Sequence, residues 1–199
     1  RKATLMVVSH MILNGVLKGR GQMAPVAACL EDTNSRVADL ARLFFHELSK
    51  RAGNPIYNLL PDTISQLSRD AGISAAQFRS IFKFLLGFIS KDQQTVSLVG
   101  KLSQRFAESM DPHTWRDIAY CLTCMPYQAK CTAVIIKQRP HYKVQLQDDA
   151  VYECFAAIAG KARKTLGGTG RSSAKNQAAN TPELREELEE WARKCERLN

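Results

Sequence analysis

The chain has 199 residues, 45% of them hydrophobic, enough to bury a core as one domain without help from disulfides or metals. Its 28 Lys and Arg against 19 Asp and Glu give a net charge of +9, which favours polyanions or acidic protein surfaces over basic partners. The six cysteines fall mostly inside apolar helical patterns rather than in a short, cysteine-dense framework, the usage of a reducing compartment, and no apolar run reaches the roughly 18 residues of a membrane span.

The start, Arg1-Lys2 and an apolar run to Leu13, has the outline of a secretory leader. Ser9, His10 and Asn14 interrupt it and no small-residue cleavage site follows, so an internal helix is predicted there. The first residue is not Met, which predicts a piece of a longer protein. Asn14-Gly15 then ends the helix, and Gly15, Gly19 and Gly21 bracket the cations Lys18 and Arg20 before Gln22. Two readings stand side by side: a hairpin turn that uses glycine where φ must be positive, or a protruding loop that presents two cations to a partner.

Over 34–51, Val37, Leu40, Ala41, Phe44 and Leu48 follow the spacing of one helical face, and Leu43 and Phe45 widen it, predicting a helix packed on both sides. The pattern returns over 74–90 (Phe78, Ile81, Phe82, Leu85, Ile89, with Ser74 as cap), over 111–125 (Trp115, Ile118, Leu122, Met125, with Asp111 as cap and Pro112 at the first position) and over 148–163 (Val151, Phe155, Ile158). These helices start near Thr33, Ser74, Asp111 and Asp148, 41, 37 and 37 residues apart. Second helices are expected around 55–69, with Pro61 inside as a kink or restart, 93–108 and 128–138. Each period thus holds a helical hairpin near the length of a HEAT unit. No convincing period-2 alternation occurs, so the class is all-α: a HEAT-repeat α-solenoid of stacked hairpins over 1–163.

Residues 164–181 change to Gly, Ser, Ala, Asn and Gln with basic residues; 161–182 carry five cations and no acid. Such a segment buries too little to order itself and is expected to be a flexible basic linker. Thr181-Pro182-Glu183 opens a last amphipathic helix over 182–199, whose Leu184, Leu188, Trp191, Cys195 and Leu198 form one stripe able to dock in a groove.

Chemistry-bearing motifs are sparse. Cys121, Cys124, Cys131 and His141 contain a C-x-x-C start, but it sits within the continuous pattern around Leu122 and Met125 without knuckle turns, so buried structural thiols are expected and no metal. The glycines of 167–170 lack the Lys of a phosphate loop and a preceding strand. Ser9 and His10 point about 100° apart on a helix and form no catalytic pair. No enzyme, cofactor or small-molecule substrate is expected. A basic patch, Lys137, Arg139, His141 and Lys143 with Tyr142 between them, is either ordinary solvated charge or a grip on a phosphate backbone that would be sequence-independent.

The stretches S-H-M-I-L-N-G at 9–15, K-G-R-G-Q at 18–22, C-L-E-D-T-N-S-R-V-A-D-L-A-R-L-F-F-H-E-L-S at 29–49, N-P-I-Y-N-L-L-P-D-T-I-S-Q-L at 54–67, D-P-H-T-W-R-D-I-A-Y-C-L at 111–122 and M-P-Y at 125–127 together resemble the condensin subunit 1 family, over about residues 5–163. The resemblance implies the C-terminal part of a non-catalytic HEAT-repeat subunit that docks on a kleisin and on an SMC ATPase head in mitotic chromosome condensation. It implies that Lys18, Gly19, Arg20, Gly21 and Gln22 face that head. It also implies a nuclear and chromosomal location, with cytoplasm outside mitosis; double-stranded DNA as a further, secondary partner rests on the basic patch alone. The family usually carries Lys where this chain has Arg20, and the two cations pair differently with carboxylates. The alternative is a HEAT adaptor of transport or scaffold type that binds acidic protein partners.

Overall fold

The computed structural model describes residues 2–17, 19, 21–167 and 180–196. Among them all regular structure is helical, in two compact units, Arg1–Ser90 and Lys91–Asn199. The boundary falls between the two helices of the second expected hairpin.

The first unit holds α1 (Lys2–Leu13), α2 (Met23–Ala28), a 3-10 turn (Cys29–Glu31), α3 (Ser35–Ser49), α4 (Pro55–Ser68) and α5 (Ala75–Leu86). Local chemistry sets the starts. The Asn34 side chain accepts from the Arg36 N–H at 3.0 Å. Ser74 and Gln77 make a reciprocal box: Ser74 Oγ accepts from the Gln77 N–H and Gln77 Oε1 from the Ser74 N–H, which satisfies two donors that a helix start leaves open. Asn54 sits at φ +44° just before Pro55, and its Nδ2 donates to the Phe88 carbonyl at 2.6 Å, tying the α3–α4 junction to the chain after α5. Packing of α1 on α3, α2 on α4, and α4 on both α3 and α5 closes a core around Phe44, Phe45, Ile64, Phe78 and Ile81. Phe45 widens the α3 stripe as expected, whereas Leu43 does not: it is 57% exposed, because a cylinder with neighbours at α1 and α4 still leaves one side open. Helix α5 stops before the predicted 90, where the Gly87 N–H bonds back to the carbonyls of Lys83 and Phe84.

The second unit holds α6 (Asp92–Glu108), α7 (Pro112–Thr123), α8 (Ala129–Lys137), the short α9 (Arg139–Tyr142), a 3-10 turn (Gln145–Gln147), α10 (Asp149–Gly167) and α11 (Pro182–Glu196). Asp111 caps α7 by accepting from the N–H groups of His113 and Thr114, both at 3.1 Å. The Arg116 guanidinium grips Asp148 through Nε and Nη, the latter at 2.8 Å, fixing the start of α7 to that of α10. Helix α10 runs four residues into the stretch 164–181 expected as linker. Leu166 is buried there, continuing the stripe of Val151, Phe155, Ile158 and Ala162, and one more buried leucine outweighs the poor helix propensity of the glycine that follows. The rest of the linker reading, residues 168–179, lies outside the described residues.

Candidate partner-binding surfaces

Three surfaces carry the residues singled out by the sequence. The first is the turn between α1 and α2. Helix α1 ends when Gly15 enters the left-handed region at φ +73° and the N–H groups of Val16 and Leu17 both return to the Met11 carbonyl, a closure that consumes carbonyls the last helical turn leaves open. Gly21 takes φ +86°, and the Gln22 N–H donates to the Gly19 carbonyl at 3.0 Å. A Cβ added at Gly19 would lie 3.1 Å from Met23 Cε and 3.2 Å from Leu59 Cδ1, so this backbone rests directly on α2 and α4. Gly15 and Gly21 have open space around them, Val16 is 71% exposed, and Gln22 is exposed. The described residues thus form a glycine-closed turn that rests on α2 and α4 at Gly19 and leaves Val16 and Gln22 in solvent. Lys18 and Arg20 lie outside the described residues.

The second surface is the basic patch, and the structure divides it. Lys137, His141 and Lys143 are exposed. Tyr142 is fully buried; its hydroxyl donates to the Ile135 carbonyl at 2.6 Å, and burial pushes its ionisation well above the usual tyrosine range. It is a core residue and offers no ring to a nucleic acid. Arg139 is half-buried and its Nη2 donates to the Lys194 carbonyl at 3.2 Å, near the end of α11, where a cation meets the negative pole of the helix. Of the four residues, Arg139 thus contacts α11, whereas Lys137, His141 and Lys143 face solvent.

The third surface is α11, seated on α8 and α10. Leu184, Leu188, Trp191 and Cys195 are buried, while Leu198 lies outside the described residues. Trp191 Nε1 donates to the Tyr142 hydroxyl at 2.9 Å, and its ring approaches Phe155 at 6.2 Å, which stacks on Tyr142 at 4.3 Å. Arg163 grips Glu189 with both Nε and Nη2, at 2.8 and 2.7 Å; that guanidinium holds the Glu189 carboxyl below the usual carboxylate range. Sequence reasoning missed Ala192, which completes the buried stripe, and the pairing of Arg163 with Glu189. Partners 26 residues apart carry no local signal.

The cysteines occupy apolar ground. Cys121 and Cys131 are buried within α7 and α8. Burial pushes the Cys121 thiol well up, and that of Cys131 up to about 12, so neither is a ready thiolate. His141 is exposed on α9. Among the described residues no three His, Cys, Asp or Glu side chains converge as metal ligands, and no helix is long and apolar enough to cross a membrane.

The sequence was compared with known proteins. The family described as non-SMC mitotic condensation complex subunit 1 (Cnd1) matches residues 1–123. Condensin-1 complex subunit CAP-D2 of Arabidopsis thaliana is 41% identical over 164 residues, 82% of this chain and 12% of that protein. Condensin complex subunit 1 of Xenopus laevis is 41% identical over 165 residues (82% and 12%), and that of Homo sapiens 38% over 173 residues (86% and 12%). The chain therefore spans only a small part of the length of these relatives. No solved structure matches significantly. With the family match covering well over half of an all-helical chain of paired helices, and the glycine-closed turn inside the matched region, the chain belongs to the condensin subunit 1 family.

Proposed function

We propose that this chain is a non-catalytic binding segment of a condensin complex, acting in the nucleus and on chromosomes during condensation, and that it engages an SMC ATPase head and a kleisin. The observation that carries the reading is the turn at 14–22. It lies in the part matched by the condensin family, and its backbone is held by glycines at three positions while its flanks stay open. Lys18 and Arg20 supply the charge, Gln22 a neutral hydrogen-bonding group, and Gly19 the anchoring point. DNA is a secondary partner through Lys137, His141 and Lys143, by neutralising phosphates without reading bases.

Mixing the purified chain with a purified SMC head, and separately with a purified kleisin, tests the reading. Co-elution with each is expected by size-exclusion chromatography at physiological salt. Failure to associate with either would overturn it.

A further inference from the structure

The first unit contains a groove that borders the turn at Gln22 and runs on between other elements. It encloses about 590 Å³ between α1, α2 and the start of α5. Thr4, Leu5 and Val8 form its α1 side, Val26 and Cys29 face them, and Ile73 contributes from the chain before α5. Leu5 and Val26 belong to the buried core, so the floor cannot collapse without disturbing the packing of the unit. Thr4 is exposed and Val8 and Cys29 are half-buried, so the groove is open along its length.

Its rim carries charge of one sign. Glu31 and Asp32 line it, and among its described lining residues there is no Lys, Arg or His, although the chain as a whole has a net charge of +9. Both carboxylates are held in place by the scaffold: Glu31 Oε1 accepts from Ser80 Oγ at 2.6 Å, and Asp32 Oδ1 from the Asn34 N–H at 2.8 Å. Apolar surface continues outside the groove along α1. Val7, about one helical turn beyond Thr4, is 58% exposed. A small molecule would need a closed pocket, whereas apolar surface that runs on beyond a groove suits a segment of polypeptide lying along the helix.

We propose that this groove docks a basic amphipathic segment of a partner protein, its aliphatic side chains seated on Leu5, Val8, Val26 and Ile73 and a Lys or Arg within one turn of them facing Glu31 and Asp32. The charge complementarity selects the partner; the apolar floor supplies most of the contact. Gln22 lines the groove and also belongs to the turn proposed to meet the head, so the variants used below are placed at Thr4, Glu31 and Asp32 and leave residues 18–22 untouched.

The test uses a fluorescein-labelled peptide of two Leu-Leu-Lys-Lys repeats flanked by glycines, titrated with the 199-residue chain by fluorescence anisotropy. Thr4→Trp fills the groove from an exposed position, and Glu31→Gln with Asp32→Asn removes both charges while keeping an acceptor for Ser80 and for the Asn34 N–H. Circular dichroism checks that each variant keeps its helicity. The expected results are binding by the parent chain, a loss of at least about tenfold with Thr4→Trp, and a loss of about fivefold with the double variant, as two partly exposed ion pairs are worth. Peptide binding should slow alkylation of Cys29 in a chain whose other five cysteines are serine. Absence of binding, equal binding of a peptide with Glu in place of Lys, or equal affinity in the variants overturns the proposal. So does a concentration-dependent dimer abolished by Thr4→Trp, which assigns the groove to a second copy of the chain.

Discussion

Removing the Trp191 side chain tests whether α11 is an integral part of the second unit. The indole is 2% exposed, packs toward Phe155 and donates to the Tyr142 hydroxyl. Truncation of a buried aromatic to alanine costs about 3–5 kcal/mol, lost apolar burial and the residual cavity together. Trp191→Phe keeps most of the ring and removes only the N–H donor. The Tyr142 hydroxyl still donates to the Ile135 carbonyl, so that variant should cost about 1 kcal/mol, the worth of one neutral hydrogen bond, plus a small packing term. The series Trp, Phe, Ala thus descends in two unequal steps. Urea unfolding followed by circular dichroism gives the free energies, and amide exchange over α11 shows whether the loss is local. Trp191 fluorescence, read in a Trp115→Phe background because the chain has two tryptophans, should be blue-shifted in the parent. A solvent-exposed emission maximum in the free chain, or an alanine variant within about 1 kcal/mol of the parent, would refute the packing described for this helix.

Acid should weaken the second unit. Asp111 is held below the usual carboxylate range chiefly by the Thr114 hydroxyl, Asp148 chiefly by Arg116 and Glu189 chiefly by Arg163. The folded chain therefore binds fewer protons than the unfolded one. Their contribution is fully present above the ordinary carboxylate pKa of about 4 and is lost as pH falls through the lowered folded values; Asp148→Asn should flatten that decline in the melting temperature, and an unchanged profile would contradict it. Gly15→Val should destabilise by about 1–2 kcal/mol, since a branched residue is forced to φ +73°, while Gly15→Asn should cost less, as thermal melts of the two will show. Lys137→Ala with Lys143→Ala should lower the affinity for duplex DNA and flatten its dependence on salt, equally for all sequences and with no change in melting temperature. Arg139→Ala should instead reduce exchange protection in α11, where its guanidinium meets the Lys194 carbonyl.

Elements whose cause is local were legible in the sequence. The caps at Ser74 and Asp111, the stripes of α3, α5, α7 and α10, and the glycine closure after α1 all follow from chemistry within a few residues. What depended on distant partners was not. Tyr142 reads as an aromatic among cations, yet Trp191, 49 residues away, makes it a core residue. Arg139 reads as a free cation for the same reason. Helix α10 was expected to end at 163 because glycine and serine follow, and burial of Leu166 carried it on to Gly167. The short α9 went unseen because four residues carry no periodicity. The groove of the first unit had no motif at all: its residues come from α1, α2 and the start of α5, and only packing brings Thr4 and Ile73 to one cavity.

The central claim is that the turn between α1 and α2 is a docking element for an SMC ATPase head. The most direct measurement is isothermal titration calorimetry of a purified head into the parent chain and into Lys18→Glu with Arg20→Glu. The two substitutions sit beside the pinned Gly19, in a segment with no side chain in the buried core among its described residues, so helicity and melting temperature should stay within error of the parent. The account predicts that head affinity then falls by at least tenfold, as expected when two interfacial cations are reversed in sign. Unchanged affinity in a folded double variant would reduce the turn to a connection between two helices.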